Sequence, residues 1–569
     1  MSTAISILGG VGLFLLGMTV MTTGLKTLAG SALRTVLAKA AATPWSGTFW
    51  GAIATLVVQS SSATTMTTIG LVSAGLLTFP QGLGLVFGAN VGTTGTGWLV
   101  ALIGVRVSLT SAALPMIFIG AMIKLLGRGR VSGAGAALAG FGLVLFGLST
   151  LQEGMGGLAE RLHPADLPSV LTGPGTGWWR SVIGVLTLVA VGLAMTTLMQ
   201  SSTAAIALTL SAHYAGAVDL GQGCALIIGQ NIGTATSSAM AAIGASVTAK
   251  RLAIAYVLFK LIAALIALAL FPLVTPLLIR ASHTVDGVTL LAAYHTAYNV
   301  VGVVVLMPVI ERFTRFVESL LPERGSPLTR CLDPSALTLP IAAVEAVRRT
   351  IARALEVVCG SVGATLRATT HGGGARSESD TVTLSEAADA LRQAQIFMSD
   401  VNGPPESEDE QRRLTSTLHA LDHASRLAET VRERGDFGAT GPQPGDARAM
   451  QLCAEAMQCA TAIAREVATL PDGHPQTISL TAKRDAPAMP DAGPDVPAMS
   501  AEQTLGQLQH CAKALRELRR AHRSETLGAV ANGTLTAGDA VARVDAVRIL
   551  EALAHHAWRS AAHLIGRAD

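Results

Sequence analysis

Residues Gln59–Thr65 read QSSSATT, between GTFWGAIATLVV and MTTIGLVSAGLL. The flanks are apolar enough for a lipid bilayer, and the seven residues between them are polar or small. One explanation is local: Ser and Thr in membrane helices commonly donate to a backbone carbonyl one turn back. The other is a binding site. The stretch has an echo at Gln200–Ala205, QSSTAA, and both copies continue alike. Thirty-one residues after Gln59 comes Asn90, in GANVGTTGT, and the same interval after Gln200 reaches Asn231, in GQNIGTATS. Upstream, GLFLLGMTVMTTGLKTLA from Gly12 matches GLVLFGLSTLQEGMGGLA from Gly142. Three blocks in one order, two at identical separation, are not produced by Ala/Leu/Gly bias. The chain contains a duplication.

Composition divides the 569 residues in two. With 14% charged residues and a mean hydropathy of +0.48, the whole is too apolar for an ordinary soluble protein. The apolar excess lies before residue 310, and from about 335 the chain turns charged at helical spacing. A net charge of +3 without a basic, aromatic-interleaved patch gives no reason to assign nucleic acid. The N-terminus lacks a basic n-region and reads as a retained first span rather than a leader. The six cysteines form no C-x-x-C pair and read as free thiols.

Span lengths give an expected topology. In the first copy, 5–24 crosses; 47–58 and 63–77 are each shorter than the ~20 helical residues a crossing needs, so they read as a re-entrant hairpin tipped by QSSS. Spans at 82–103 and 107–126 follow. Three net crossings invert the second copy, expected as 132–150, a hairpin over 181–213, then 221–243 and 249–270, with a last span at 290–309. Loop charge agrees. With the N-terminus outside, inner loops hold Lys26, Arg34, Lys39, Lys124, Arg128, Arg130, Lys250, Arg251, Arg312 and Arg315, and outer loops only Arg106, Arg161, Arg180 and Arg280. The expected fold is all-α: a multi-pass inner-membrane protein of two inverted repeats with re-entrant helical hairpins, followed by a cytoplasmic helical bundle. The expected domains are 1–128, 129–310, a linker over 311–336, and 337–569.

Inverted repeats with broken helices near the midplane suit secondary transport. A helix broken in the membrane exposes N–H donors at a positive N-terminus, which favours an anion. Ser and Thr hydroxyls, Asn and Gln add donors for an anion and lone pairs for a cation. No Asp or Glu falls deep in an expected span, since Glu153, Glu160, Asp166, Asp219 and Asp286 lie in loops or near span ends, so a carboxylate proton relay is not expected. Lys260 is the one cation well inside a span and is expected to snorkel or pair. His295, Tyr298 and Asn299 are expected as helix-contact residues.

QSSSATT with GANVGTTGT, repeated as QSSTAA with GQNIGTATS, resembles the type II sodium-dependent phosphate cotransporter family over about residues 1–310. The resemblance implies Na+-coupled movement of inorganic phosphate through the bilayer. It implies phosphate contacts from Ser60, Ser61, Ser62, Ser201, Ser202 and Thr203, with Gln59 and Gln200 shaping the tips. It also implies sodium contacts at the helix breaks from Asn90, Thr93, Asn231 and Thr234, joined by Ser62 and Thr64. No cofactor is implied beyond Na+ as coupling ion. The second copy departs by placing Thr203 where the first has Ser62, which keeps a hydroxyl.

Beyond residue 335, six amphipathic helices are expected at about 340–368, 383–400, 408–434, 446–469, 502–530 and 535–566, separated by THGGGARSES, GDFGATGPQPGD and a Pro-rich stretch expected to be disordered. The segments from Asp422 to Glu429 and from His555 to His563 resemble the PhoU-like regulatory domain. That family binds metal through acidic E-x-x-x-D patterns. Here Ser425 takes the Glu position and the second segment offers histidines, so no metal site is assigned. Rival readings are an exporter or another oxyanion carrier of the same fold, and a membrane phosphate sensor signalling through the bundle. No nucleophile–base pair or phosphate-binding loop motif suggests an enzyme. Homo-oligomerisation or a regulatory partner at the bundle is left open.

Overall fold

The computed structural model describes residues 2–40, 42–103, 109–170, 178–243, 245–322, 326–370, 378–401, 407–434, 444–469 and 500–567. All of its regular structure is helical among the described residues. The helices are α1 (Ser2–Ala40), α2 (Pro44–Val58), α3 (Ser61–Ser73), α4 (Phe79–Thr93), α5 (Gly95–Ile103), α6 (Leu109–Leu126), α7 (Arg130–Ala159), α8 (Trp178–Met199), α9 (Ser202–Tyr214), α10 (Leu220–Ala241), α11 (Val247–Ala281), α12 (Gly287–Leu306), α13 (Ile310–Leu320), α14 (Pro340–Thr370), α15 (Glu378–Ser399), α16 (Glu408–Arg434), α17 (Pro444–Thr469), α18 (Ala501–Ala531) and α19 (Ala537–Leu564). The chain divides into two compact units, Met1–Val72 with Leu77–Glu323, and Arg324–Asp569 with Ser73–Leu76.

The first unit is a multi-pass membrane assembly. Five segments are long and apolar enough to cross a bilayer: Thr3–Ala29, Phe79–Leu102, Arg130–Ala159, Trp178–Met199 and Val247–Ala281. Large apolar side chains such as Leu8, Phe118, Leu265 and Leu273 stand exposed on helix outer faces, as a lipid-facing surface requires. Small residues let the helices approach. A Cβ on Gly10, Gly17 or Gly24 of α1 would lie within 2.6 Å of the backbone of Leu151, Val144 or Ala137 of α7. Rising numbers on one helix meet falling numbers on the other, so α1 and α7 run antiparallel at a seven-residue small-residue seam. The same tight approach joins α2 to α4 and α8 to α10. Gly88 faces the Thr48 carbonyl and Gly229 that of Val189; Gly51 faces Leu85 O and Gly192 faces Leu226 O. Each second-copy residue is the first shifted by 141 positions, the shift from Gln59 to Gln200.

Three expectations change. The segment expected as a hairpin over 181–213 has unequal helices: α8 has 22 residues, span length, against 13 in α9 and 15 in its counterpart α2. Because the glycine contacts keep one register, the extra length lies at the base of α8, away from Gln200. The helix break expected near Asn90 and Asn231 occurs in the first copy only. There Thr94 separates α4 from α5, which Gly95 opens, whereas Ala235 and Thr236 occupy those places in an unbroken α10. Ala favours the helix, and the permissive Gly is gone. The linker 311–336 contains α13, whose Ile310, Phe313 and Val317 are buried while Arg312 and Arg315 are exposed. That 3.6-residue period was legible. Arg106 and most of the three expected breaks in the C-terminal half lie outside the described residues.

In the second unit all six expected helices form, as α14–α19. α14 packs on α15, α16 and α17; α19 packs on α16, α17 and α18. Ala, Leu and Val fill the interior, with all six cysteines of the chain free and buried in one unit or the other.

Candidate anion and cation site in the membrane unit

Gln59 and Gln200 are the two non-glycine residues with positive φ among the described residues, at 56° and 50°. A side chain in this left-handed region costs roughly 1–2 kcal/mol. The side chains offset that cost in the same way. Gln59 Nε2 donates to Leu56 O at 2.6 Å and Gln200 Nε2 to Thr197 O at 2.6 Å, each satisfying an orphan carbonyl at a helix C-terminus. Gln59 Oε1 accepts from Thr96 Oγ1 at 2.7 Å, and Gln200 Oε1 accepts from Ser237 Oγ at 2.9 Å. Both contacts span 37 residues. The glutamines are clips: each ends one helix, turns the chain, and fastens the tip to the following membrane helix.

A serine then opens the next helix. Ser60 Oγ accepts from Ala63 N at 3.2 Å, and Ser201 Oγ from Ala204 N at 3.2 Å. This is N-capping. Ser60 and Ser201 therefore direct a lone pair inward to their own helices. The hydroxyls of Ser61, Ser62, Ser202 and Thr203 make no hydrogen bond within the described protein, and the first-turn N–H groups beside them have no carbonyl one turn back. Ser62 is exposed and the other three are half-buried. The structure thus separates the expected phosphate set into clips (Gln59, Gln200), caps (Ser60, Ser201) and free donors.

Below the tips the copies differ. In the first, Thr55 Oγ1 and Thr64 Oγ1 are 2.8 Å apart, both buried, and Thr68 Oγ1 donates to Thr64 O at 2.8 Å. In the second, Gln230 Nε2 donates to Ala205 O at 3.0 Å and to Thr209 Oγ1 at 2.7 Å. Of the expected sodium ligands, Thr93 Oγ1 donates to Ala89 O at 2.8 Å and Thr234 Oγ1 to Asn231 O at 2.6 Å, each a bond within its own helix. Asn90 Oδ1 accepts from Tyr256 OH at 2.8 Å, and the same phenol lies 3.4 Å from Thr234 Oγ1. Tyr256 on α11 thus touches both copies. Asn231 Nδ2 donates to Asn299 Oδ1 at 3.1 Å, and Asn231 Oδ1 accepts from Lys260 Nζ. Lys260 does not snorkel; it is 2% exposed. Asn299 is fully buried and donates to His295 O at 2.9 Å, one turn back on α12. Thr296, which sequence reading passed over, accepts from Trp98 Nε1 at 2.9 Å and donates to Thr94 Oγ1 at 3.0 Å, fastening α12 to the break between α4 and α5. Its signal was weak, one Thr in an apolar span.

In the second unit the segments around His423 and His556 face each other. His423 Nδ1 of α16 lies 3.0 Å from His556 Nδ1 of α19, and the rings of His419 and His563 stack with centroids 4.9 Å apart. Burial, and next the like charge of His556, pushes His423 down to about 4.

Comparison with known proteins falls on the first unit. Residues 13–153 and 181–280 match the Na+/Pi-cotransporter family, and these blocks contain both clips, all the free hydroxyls, Asn90, Asn231 and Lys260. The chain is 27% identical over 311 residues to the uncharacterized protein YqeW of Bacillus subtilis, covering 55% of this chain and 96% of that one. It is 29% identical over 358 residues to an Escherichia coli protein provisionally named inorganic phosphate export protein YjbB, and 28% identical over 359 residues to its Salmonella typhimurium counterpart. Those matches cover 62% of this chain and 63% of each relative, so the chain spans just under two thirds of their length. No solved structure matches the chain at a significant level.

Proposed function

We propose that the protein is a sodium-coupled inorganic phosphate transporter with a regulatory helical bundle. The observation that carries this reading is the pair of glutamine-clipped breaks, each presenting unengaged hydroxyls and first-turn N–H groups. Such donors, held by backbone geometry before any ligand arrives, suit a tetrahedral oxyanion. The match to the Na+/Pi-cotransporter family supports phosphate as that anion and sodium as the coupling ion. Inversion of the second copy is supported by the antiparallel run of α1 and α7, which are the first helices of the two copies. Entry of the hairpins from opposite sides brings Ser61, Ser62, Ser202 and Thr203 to one phosphate, with sodium held by Ser62, Thr64, Asn90, Thr93, Asn231 and Thr234. The N-terminus lies outside and the bundle, PhoU-like and cytoplasmic, adjusts transport rather than performing it.

The provisional name of the E. coli relative favours a second reading of direction, in which the cell uses the same machinery for export. A carrier works in either direction as gradients dictate, so the site chemistry is common to both. The test is radiolabelled phosphate flux in proteoliposomes under imposed Na+ or proton gradients. The expected result is flux that follows Na+ and persists when the proton gradient is collapsed. Flux that follows protons and ignores Na+ refutes the coupling; no phosphate flux in either direction refutes the function.

A further inference from the structure

Asn90 and Asn231 are equivalent by position but not by partner. The Asn90 amide oxygen takes a neutral phenol; the Asn231 oxygen takes an ammonium. Both partners come from one face of α11, as Tyr256 and Lys260, four residues apart. Around Lys260 Nζ stand Asn231 Oδ1, Asn299 Oδ1 at 3.5 Å, and the rings of Tyr256 and Phe259 with centroids at 5.4 and 5.9 Å. None of these is a carboxylate. Amide oxygens are what a hard monovalent cation also takes, and aromatic faces attract either. A buried cation among neutral groups is costly until an anion comes near. Asn231, Thr234 and Ser237 follow one another at three-residue steps, and Ser237 holds the Gln200 clip, so the ammonium lies roughly 9 Å along α10 from that tip.

We propose that Lys260 is a tethered cation: its ammonium fills the position at Asn231 that a coupling sodium would otherwise take, and supplies the fixed positive charge that the second tip offers to the anion. This rests on the transport reading and narrows it. The sodium set given with that reading is revised: Ser62, Thr64, Asn90 and Thr93 of the first copy keep sodium, and Asn231 serves the lysine instead.

The experiment uses the full chain with Lys260→Ala, Lys260→Met and Lys260→Arg. First, thermal unfolding in detergent is followed against Na+, with choline as control and no phosphate. Lys260→Ala opens the position and gains Na+-dependent stabilisation over the wild type, whereas Lys260→Met fills the space without charge and gains none. Equal Na+ responses from the Ala and Met variants overturn the proposal. Second, in proteoliposomes, Lys260→Ala raises the half-saturating phosphate concentration by about tenfold or more at low Na+. High Na+ recovers it, with one more Na+ per phosphate in the dependence. Lys260→Met is not recovered, and Lys260→Arg stays within about threefold of wild type. Equal impairment of Arg and Met variants indicates a space-filling lysine and refutes the inference. A wild type without phosphate flux defeats the transport reading alone, since the Na+ titration still decides what occupies Asn231.

Discussion

The two tips are built alike to within tenths of an ångström at the glutamine, and differ within two turns of it. Both clips bond a carbonyl three residues back and a hydroxyl 37 residues on. The helix before each tip, α2 or α8, presses on α4 or α10 through glycines in one register. Below that, the first copy has a hydroxyl pair, a break at Thr94 and an Asn90 bonded by the Tyr256 phenol; the second has Gln230, an unbroken helix and an Asn231 bonded by Lys260. Geometry that presents donors has been kept in duplicate, while the groups that adjust charge have diverged. Such a division fits a pair of tips sharing one anion with unequal cation positions.

The largest expected effect tests the shared part. Gly88→Ala or Gly229→Ala places a Cβ about 2 Å from a backbone carbonyl, at 2.0 Å from Thr48 O or 1.9 Å from Val189 O. Overpacking of this kind against backbone costs about 3 kcal/mol or more. Both variants should lose the monodisperse folded peak in size-exclusion chromatography, while Gly12→Ala, with nothing within 4 Å of its Cβ, keeps it. Tolerance at Gly88 with collapse at Gly229 would show that the two copies do not share a packing scheme.

A smaller effect isolates the clips. Gln59→Gly and Gln200→Gly lose the side-chain bonds but relieve the left-handed strain, whereas the alanine variants lose the bonds and keep the strain. The alanine forms should be less stable than the glycine forms by about 1 kcal/mol, at both tips. Denaturation that ranks Ala above Gly would contradict the positive φ.

Why the tips were readable and their clips were not follows from the residues. QSS repeated at a constant interval from Asn needs only the sequence. That Gln59 and Gln200 hold left-handed backbone, and so act by local hydrogen bonds, needs φ, which no pattern encodes. The seam of Gly10, Gly17 and Gly24 was visible as a seven-residue period but hidden by the general abundance of glycine. Helix α13 was overlooked because the whole of 311–336 was taken as linker, although Ile310, Phe313 and Val317 fall at helical spacing. Lys260 was expected to snorkel or pair, and of the two it does not snorkel: Asn231 with Asn299, distant in sequence, supply interior partners that no local pattern could name. The span counting that made both hairpin arms short held for α2 and α3 but not for α8, whose base adds length that hydropathy cannot distinguish from a crossing.

The smallest effect contrasts the tips with the bundle. Neither tip carries an acid or a histidine, so hydrogen exchange at Gln59 and Gln200 should not change between pH 7 and 5 beyond the intrinsic rate. In the bundle, His423 has a folded value of about 4 against an ordinary 6.5, lowered by burial and then by His556, and His555 and His556 are lowered mainly by burial too. Below pH 6.5 the unfolded chain takes up protons that the folded chain resists, so stability is lost as pH falls from about 6.5 to about 4. The half-exposed position of His423 screens this to about 1 kcal/mol. Faster exchange in α16 and α19 at pH 5, flattened by His423→Gln, is expected; a bundle indifferent to pH would remove the neutral His423–His556 contact.

The central claim is that the free hydroxyls of both tips hold one phosphate, and phosphate affinity in proteoliposomes measures it most directly. Ser62→Ala and Ser202→Ala each remove one donor to a charged ligand, worth about 1.5–3 kcal/mol, so half-saturating phosphate should rise ~10- to 100-fold in each. Thr68→Ala removes only a hydroxyl already donated to Thr64 O and should leave affinity within about threefold. Large and similar losses at Ser62 and Ser202 beside a near-normal Thr68 variant are the predicted result. Equal, minor losses at all three positions would contradict the account.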